Sequence, residues 1–388
     1  MPQTQGTQRK KVLVLTENFP PKSGGSGRWF WELYSRLPKE DYIIVTDTVD
    51  DSAIDQQIDN TVIRIPLKSA EWGFKSLTGL GFYWRNAVQV RKLTKAHGIT
   101  HIHCGRVIHE GVIAWLVSLF TKVQFVCYIH GEDIETAATS REHSLMVKQV
   151  CAKADMLICN SLNSQHIARR LNYDVGNTVV LHPGADCERF IPVPCDDDFK
   201  TDMAWAEYSV ILTVGRLQAR KGHDKMIAAM PTILAAHPKT LYCIIGDGDQ
   251  KPRLLGLVNE LQLADNVIFL NEISDKQMIK CYQQCDIFIL PNRTIANDIE
   301  GFGMVLVEAQ ACGKVVIAGD SGGTVETMLP EQTGFIIDCT KPDVIASKIN
   351  QLLSDTALAK SMGARGVEFV NDMFDWKAHA VKAKKLFE

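Results

Sequence analysis

The sequence lacks several patterns that would assign it to a common protein class. No apolar run approaches the roughly 20 residues that a membrane-spanning helix requires. The 388 residues carry a formal net charge of only −3, so nucleic acid is not expected as a partner. The 11 cysteines include no Cys-x-x-Cys pair. Several of them fall in apolar runs, which is typical of a protein kept in a reducing cytosol.

The first residues also lack a targeting signal. Residues 1–11 are polar and basic without an apolar core, a pattern that predicts neither a signal peptide nor a membrane anchor. We therefore expect a cytoplasmic protein. With 46% hydrophobic residues, the chain is long and apolar enough for two domains, each with its own core.

Short apolar runs alternate with helical stretches along the whole chain. The first run, 11–16, is continuously apolar, as expected of a parallel strand buried on both faces. Similar runs lie at 42–46, 62–66, 100–104, 124–128, 154–161, 209–214, 241–245, 266–270, 286–290 and 315–318. This alternation predicts an α/β fold of parallel sheets with helices on both faces. The segment 192–198, rich in proline and aspartate, is the best linker between two such domains.

The stretch from Glu300 to Cys312 is the most informative part of the sequence. Glu300 and Glu308 bracket a segment in which Gly301 and Gly303 precede good helix formers, so we predict a loop that becomes a helix near Gly303. The first amides of a helix have no partner within it and favour a negatively charged ligand. These amides belong to Phe302, Gly303, Met304 and Val305. Glu308 could accept hydrogen bonds from a diol, although a water-facing amphipathic helix explains the same spacing.

Three further loops of the second half follow predicted strands. In Gly215–Gly222, the spacing of Arg216 and Lys221 allows both to bind one diphosphate. Gly246-Asp247-Gly248-Asp249 contains the spacing of an Asp-x-Asp metal motif, but its second glycine and the following helix favour a tight turn. Gly322-Gly323 precedes a predicted helix that starts near Thr324 and would offer a second anion-binding N-terminus.

Two loops of the first half are also candidates. A glycine-rich turn that includes Gly24 and Gly25 lies between a strand and a helix, as in ligand-binding βα junctions, although a plain flexible turn remains open. His130 follows another strand with Gly131, Glu132 and Asp133, at a strand end where open α/β sheets place ligand groups. Other histidines lie nearby at 101, 103 and 109, but no cysteine or carboxylate completes a trusted metal spacing.

The segment 68–95 combines five aromatic residues with basic residues, and Glu71 is its only acid. Such a mixture is typical of contact with an anionic membrane surface or a lipid-linked acceptor. A helix whose aromatic side chains pack inward under a solvated basic face explains it as well.

With these motifs in view, the chain resembles the retaining glycosyltransferases of family 4. The resemblance covers nearly the whole chain. Its strongest parts are Gly215-Arg216 with Lys221-Gly222, the pair Glu300 and Glu308 in Glu-Gly-Phe-Gly, and Gly322-Gly323 with Glu326. It implies the GT-B fold, which has two Rossmann-like domains. It also implies that the last helix returns to the first domain, giving predicted domains of 1–192 with about 374–388, and 193–373.

The resemblance also implies roles for individual residues. Arg216 and Lys221 would hold the donor diphosphate, Glu308 the ribose, and Glu300 the transferred sugar, with His130 against that sugar. The remaining residues implied in donor binding are Gly24, Gly25, Gly215, Gly246, Asp247, Gly248, Ile273, Gly301, Phe302, Gly303, Met304, Val305, Gly322 and Gly323. No metal cofactor is expected, because cations and helix N-termini can oppose the charge of the leaving diphosphate. A role of Glu300 or Glu308 as a nucleophile is the alternative.

The implied function is hexose transfer from a nucleotide sugar, with UDP favoured as the nucleotide, to a glycan or polyprenyl-linked saccharide. The pathway implied is envelope or extracellular polysaccharide synthesis, and the chain is also similar to the transferases of heterocyst-envelope polysaccharide assembly. Peripheral contact with the inner face of the plasma membrane is compatible with the basic aromatic segment. A nucleotide-sugar epimerase and a non-catalytic nucleotide-sugar-binding module are the competing functions. The sequence does not specify an oligomeric state.

Overall fold

The computed structural model describes residues 10–22, 24–50, 52–173, 176–271 and 273–388. The chain divides into two compact units. Unit 1 contains the described residues up to His182 together with Lys377–Glu388, and unit 2 contains Pro183–Trp376. Within the described residues, no helix is both long and apolar enough to cross a membrane.

Unit 1 is built on a parallel sheet with the strand order β3-β2-β1-β4-β5-β6-β7. Its strands are β1 Val12–Thr16, β2 Tyr42–Thr46, β3 Thr61–Arg64, β4 His101–Cys104, β5 Gln124–Ile129, β6 Met156–Cys159 and β7 Thr178–Val180. Its helices are α1 Gly25–Tyr34, α2 Leu77–His97, α3 Val112–Ser118, α4 Glu132–Ala138, α5 Arg141–Cys151 and α6 Leu162–Arg170. Ser161 caps α6 by accepting a hydrogen bond from the amide of Ser164, at 3.0 Å.

Unit 2 is built on a second parallel sheet with the order β10-β9-β8-β11-β12-β13. Its strands are β8 Ser209–Val214, β9 Thr240–Ile245, β10 Val267–Leu270, β11 Ile287–Leu290, β12 Val315–Gly319 and β13 Gly334–Ile337. The helices from here to the end of the chain are α7 Asp197–Asp202, α8 His223–Ala236, α9 Lys251–Glu260, α10 Asp275–Gln284, α11 Met304–Ala311, α12 Pro342–Ser354, α13 Thr356–Met373 and α14 Trp376–Phe387.

The strand order of unit 2 determines where a site can form. β8 lies between β9 and β11, so the chain leaves β8 in one direction to β9 and β10 and later continues on its other side with β11. Such a change of direction leaves a crevice at the carboxyl ends of the two central strands, where α/β proteins bind ligands. Both strands are mostly apolar and buried, as is typical of parallel strands in the interior of an α/β domain. The loops that follow β8 and β11 therefore start from rigid positions.

The predicted α/β class and the parallel sheets are confirmed. Strands β2 and β8 have the predicted bounds, and α8 begins at the predicted His223. β13 was not predicted, because its Gly334–Ile337 segment is short and begins with glycine. The predicted helix after Gly322-Gly323 is wrong, because Gly322–Glu326 forms a short 3-10 helix.

The division between the units precedes the predicted boundary after residue 192. Residues between the observed and the predicted boundary, 183–192, form hydrogen bonds with the rest of unit 2. The amide of Ala185 donates to the carbonyl of Phe374 at 2.9 Å, and Gln283 donates to the carbonyl of Ile191 at 3.1 Å. Within the predicted linker, Asp196 caps α7 by accepting from the amide of Phe199. At the other end, the structure assigns Lys377–Glu388 to unit 1.

Candidate active site

The loop after β8 packs against the end of β11. Gly222 closes this loop with φ of 72°, a left-handed conformation that glycine adopts without strain. A Cβ atom at Gly222 would lie 1.7 Å from the carbonyl oxygen of Pro291, so no other residue fits there without movement. This close approach brings the basic segment 219–221 beside the loop that leads from β11 to Glu300.

Glu300 is held by two cations. Its Oε2 atom lies 2.5 Å from the Arg220 Nη1 atom and 2.5 Å from the Lys221 Nζ atom. Arg220 also reaches Asp298, with Nε 3.0 Å from Oδ1. The side chains of Arg220, Lys221 and Glu300 are all buried. Arg220 therefore connects the carboxylates of Asp298 and Glu300 in the loop before α11, while of these two Lys221 contacts Glu300.

This arrangement keeps Glu300 ionised. Burial by itself would raise the pKa of Glu300, but attraction by Lys221 and Arg220 and their hydrogen bonds outweigh burial and lower the pKa to about 2. The pKa of Lys221 is lowered, mainly by burial, with a contribution from the positive charges of Arg220 and Arg216. The site is thus a water-poor cluster of cations around one carboxylate, in which an incoming anion would compete with Glu300 for Lys221.

The backbone of Glu300 is fixed by Gly322 and Gly323. The amide of Gly323 donates to the Glu300 carbonyl at 2.9 Å. Gly322 has φ of 66°, and a Cβ atom there would lie 1.9 Å from the same carbonyl oxygen. The Gly322-Gly323 pair therefore supports the loop that carries Glu300, in addition to any contact with a ligand.

The predicted transition from loop to helix occurs where expected. Gly303 caps α11 with φ of 96°, and the helix runs from Met304 to Ala311. Gly301, Phe302 and Met304 are buried, and Val305 is half-buried. The Phe302 ring packs on that of Phe374, with centroids 5.6 Å apart. The first amides of α11 follow directly after the Glu300 cluster, as an anion-binding helix terminus would require.

Glu308 is buried within the same helix. It is 1% exposed, and one carboxylate oxygen accepts a hydrogen bond from the Tyr282 hydroxyl at 3.0 Å. The alternative of an amphipathic helix on which Glu308 faces water is therefore excluded. Tyr282 belongs to α10, and its ring stacks on Phe288 of β11, which fixes its position.

The Gly246–Gly248 segment forms a tight turn against the β8 loop. The amide of Leu217 donates to the carbonyl of Asp247 at 2.9 Å, and the Asp247 carboxylate accepts from the amide of Gly248 at 2.9 Å. A Cβ atom at Gly246 would lie 2.1 Å from the Gly215 carbonyl oxygen. Among the described residues, no group of three or more histidine, cysteine or acidic side chains is arranged to hold a metal ion.

Arg216 and Ile273 lie closer to solvent. Arg216 is exposed, in contrast to the buried Lys221, although its charge still acts on the pKa of that lysine. Ile273 is half-buried after β10. Both positions are accessible to a ligand that occupies the crevice at the carboxyl ends of the strands.

Three predicted residues belong to unit 1. Gly24 is the N-cap of α1, and Gly25 is its first residue. His130 is buried at the end of β5, where its Nε2 atom lies 2.9 Å from the Gly105 carbonyl oxygen and its ring packs edge-on against Trp29. Burial lowers the pKa of His130, so the ring is neutral near pH 7.

Arg220, Asp298 and Tyr282 were not predicted as site residues. Arg220 directly precedes the predicted Lys221 and Asp298 lies two residues before Glu300, so an excess of charge around both motifs was a usable signal. Tyr282 comes from a helix that carries no recognisable motif, and only the fold brings it to Glu308.

Comparison with known proteins assigns the chain to a family. Residues 23–189 match the family described as Glycosyltransferase Family 4, and residues 197–369 match the one described as Glycosyl transferases group 1. A GDP-mannose-dependent alpha-(1-6)-phosphatidylinositol monomannoside mannosyltransferase from Mycolicibacterium smegmatis is 34% identical, with 97% of each chain covered. The chain belongs to glycosyltransferase family 4. This glycosyltransferase is also 28% identical to a GDP-mannose-dependent monoacylated alpha-(1-6)-phosphatidylinositol monomannoside mannosyltransferase from Corynebacterium glutamicum, over 95% of each chain.

Solved structures show that the glycosyltransferase has the GT-B fold. Sucrose-phosphate synthase from Thermosynechococcus elongatus matches with a TM-score of 0.81 at 23% identity, covering 97% of this chain and 98% of that one. HepE from Anabaena, in complex with UDP-glucose, matches with a TM-score of 0.80 at 21% identity, covering 97% and 99%. The fold implied by the resemblance is confirmed by these structures, and the enzyme class by the family matches and the 34% identical relative.

Proposed function

We propose that this glycosyltransferase moves a hexose from a nucleoside diphosphate hexose to a hydroxyl group of a glycan or lipid-linked saccharide, with retention of the anomeric configuration and without a metal ion. The observation that supports the proposal best is the buried cluster of Arg220, Lys221 and Glu300 directly before the N-terminus of α11. It combines Lys221 for the diphosphate, a carboxylate held by Arg220 for the sugar hydroxyls, and helix amides for an anion.

The proposed chemistry uses the leaving diphosphate. As the bond between the anomeric carbon and the diphosphate breaks, negative charge grows on the diphosphate and positive character on the sugar. Lys221 and the exposed Arg216 would bind the negatively charged diphosphate, and the amides at the start of α11 would contribute further hydrogen-bond donors. Each hydrogen bond to a charged group contributes about 1.5–3 kcal/mol. The acceptor hydroxyl would attack from the side of the leaving group and give its proton to a diphosphate oxygen.

Neither glutamate is suited to act as a nucleophile in this proposal. Glu300 is occupied by two cations through Oε2, and Glu308 is buried and bonded to Tyr282. Glu300 would instead accept hydrogen bonds from the transferred sugar, and Glu308 from the ribose.

The nucleotide is the part of the proposal that the relatives inform most. The family resemblance favoured UDP. Relatives that are 27–34% identical over nearly the whole chain are named as GDP-mannose-dependent mannosyltransferases, and we therefore place GDP-mannose ahead of UDP-glucose. These relatives act, by their names, on a phosphatidylinositol mannoside. A lipid-linked saccharide acceptor and peripheral contact with the inner face of the plasma membrane form part of the same proposal.

Donor binding and transfer test the proposal directly. Calorimetry should show binding of GDP or UDP in the presence of EDTA, and the preferred sugar nucleotide should then label a lipid-linked saccharide. Nuclear magnetic resonance of the product should show the anomeric configuration of the donor. An inverted product would refute retention, and complete loss of activity in EDTA, restored by a divalent cation, would refute metal independence. Isomerisation of the donor without acceptor would indicate an epimerase instead.

A further inference from the structure

Helix α2 of unit 1 exposes a row of large apolar side chains. Leu77, Leu80, Trp84 and Val88 are 88%, 45%, 68% and 37% exposed, and their spacing places them along one side of the helix. The row extends over about 16 Å at 1.5 Å per residue. The buried residues of α2, which include Phe82, Tyr83 and Val90, form the face toward the core. The exposed row is thus additional to the apolar face that the fold requires.

The end of α3 extends this apolar surface. Leu119 and Phe120 follow α3 and are 58% and 63% exposed. The guanidinium carbon of Arg91 lies 5.9 Å from the Phe120 ring centroid, which places Phe120 beside the helical turn that follows Val88. We call the row on α2 together with Leu119 and Phe120 the α2 outer face.

The charged residues of the segment that carries the α2 outer face are mostly basic. Between Glu71 and Glu132 the sequence contains seven lysine and arginine residues: Lys75, Arg85, Arg91, Lys92, Lys95, Arg106 and Lys122. The only acid in this interval is Glu110, which is 1% exposed and directed into the fold, where it accepts from the amide of Glu17. Glu142 of α5 provides a counter-charge near Lys75, at 3.9 Å. The lysine and arginine residues of α2 itself are on the same helix as the apolar row, and all four are exposed: Arg85, Arg91, Lys92 and Lys95.

We propose that the α2 outer face docks this protein on an anionic lipid bilayer, with the apolar side chains in the interfacial region and the cations at the level of the lipid phosphates. A bilayer of this kind offers an apolar layer and negative charge on one surface, which matches both features of the face. Tryptophan prefers this interface, and an apolar surface combined with a basic cluster binds membranes more firmly than either feature alone. The inference gives the proposed peripheral contact a defined surface. It does not depend on sugar transfer, because docking requires no substrate.

Vesicle flotation of the full chain without substrate tests the inference. Wild-type protein should float with vesicles of phosphatidylcholine containing about one-third phosphatidylglycerol, much less with phosphatidylcholine alone, and less as salt is raised. Arg91→Gln with Lys92→Gln should lower the partition coefficient about 25-fold, or about fivefold per cation. Leu77→Ser with Trp84→Ser should lower it tenfold or more, because less apolar surface enters the interface.

Matched variants in unit 2 serve as controls. Leu255→Ser removes a leucine that is 42% exposed on α9, and Lys276→Gln with Lys360→Gln removes two exposed cations. Both should leave the partition coefficient unchanged. All variants should keep the thermal unfolding midpoint of the wild type, since every substituted side chain is exposed, and unchanged midpoints would exclude unfolding as the cause of lost binding.

Three outcomes would overturn the inference. The first is flotation that does not depend on anionic lipid. The second is a dimer in sedimentation experiments without lipid that Leu77→Ser with Trp84→Ser abolishes, which would assign the face to a second copy of the chain. The third is equal loss of binding in the unit 2 controls. Because none of these measurements involves a sugar nucleotide, they are distinguishable from a failure of the proposed transfer reaction.

Discussion

Replacing Arg220 should separate the sugar-binding function of Glu300 from diphosphate binding. Arg220 contacts Glu300 at 2.5 Å and Asp298 at 3.0 Å, whereas Lys221 contacts Glu300 but not Asp298. If Lys221 turns toward a bound diphosphate, Arg220 remains as the cation that holds Glu300. Arg220→Met keeps much of the apolar stem but removes both ion pairs. We expect it to weaken binding of the sugar nucleotide while binding of the nucleoside diphosphate alone changes little.

The expected loss of sugar-nucleotide affinity in Arg220→Met follows from the contacts that the substitution removes. Contacts of a charged group contribute about 1.5–3 kcal/mol each, and about 1.4 kcal/mol corresponds to a factor of ten. A loss of one such contact predicts about 10- to 100-fold weaker binding of the sugar nucleotide and a similar fall in kcat/KM. Arg220→Lys should recover part of this, because lysine keeps the charge but cannot span Glu300 and Asp298. Lys221→Met should weaken binding of both ligands.

Calorimetric titration with GDP and with GDP-mannose, or with the UDP pair if that is the donor, measures both effects. Arg293→Met is the matched control, because it removes another largely buried ion pair of unit 2, between Arg293 and Asp224 at 2.9 Å, without touching Glu300. If Arg220→Met weakened nucleoside diphosphate binding as much as Lys221→Met, Arg220 would contact the diphosphate itself. If it behaved like Arg293→Met, Glu300 would not need Arg220, and the reasoning would be refuted.

Three further predictions concern the same unit. Because folding lowers the pKa of Glu300 from 4.5 to about 2, the ionised carboxylate stabilises the folded protein above pH 4.5. Denaturant unfolding at several pH values should show that the free energy of unfolding of the wild type, relative to that of Glu300→Gln, falls by about 3 kcal/mol as the pH is lowered toward 2. Glu308→Gln should weaken nucleoside diphosphate binding about tenfold in calorimetry, whereas Tyr282→Phe, which leaves the carboxylate in place, should weaken it less; the reverse order would exclude Glu308 as the ribose contact. Arg216→Gln should lower kcat/KM tens- to hundreds-fold with an unchanged unfolding midpoint, because Arg216 is exposed; undiminished turnover would contradict its role at the diphosphate.

The sequence predicted the strands well because most of them are buried on both faces. Runs such as 209–214 are apolar at nearly every position, and the loops between strands contain glycine where the chain turns sharply. The short β13 at the sheet edge gave no comparable signal, and the 3-10 turn at Gly322–Glu326 has a sequence that also suits the start of a helix.

The sequence predicted the charged residues of the site but not their pairing. Lys221 and Glu300 were assigned to different parts of a ligand, yet in the structure they contact each other, and Arg220 joins them. Such contacts join residues about 80 positions apart, at separations of 79 and 80, and depend on the close approach of Gly222 to Pro291. The local sequence around each residue does not indicate which residues so far apart in the chain come into contact. The partner of Glu308 depends likewise on the packing of α10 against β11.

The return of α14 to unit 1 has a consequence for how the protein is made. Phe387 lies against His103 of β4, with ring centroids 4.5 Å apart, and its carbonyl accepts a hydrogen bond from Lys10 at 2.8 Å. The first strand of unit 1 therefore leaves the ribosome long before the helix that covers part of its sheet. In between, the whole of unit 2 is synthesised. During translation, unit 2 can complete its core first, while unit 1 exposes apolar surface until α14 emerges.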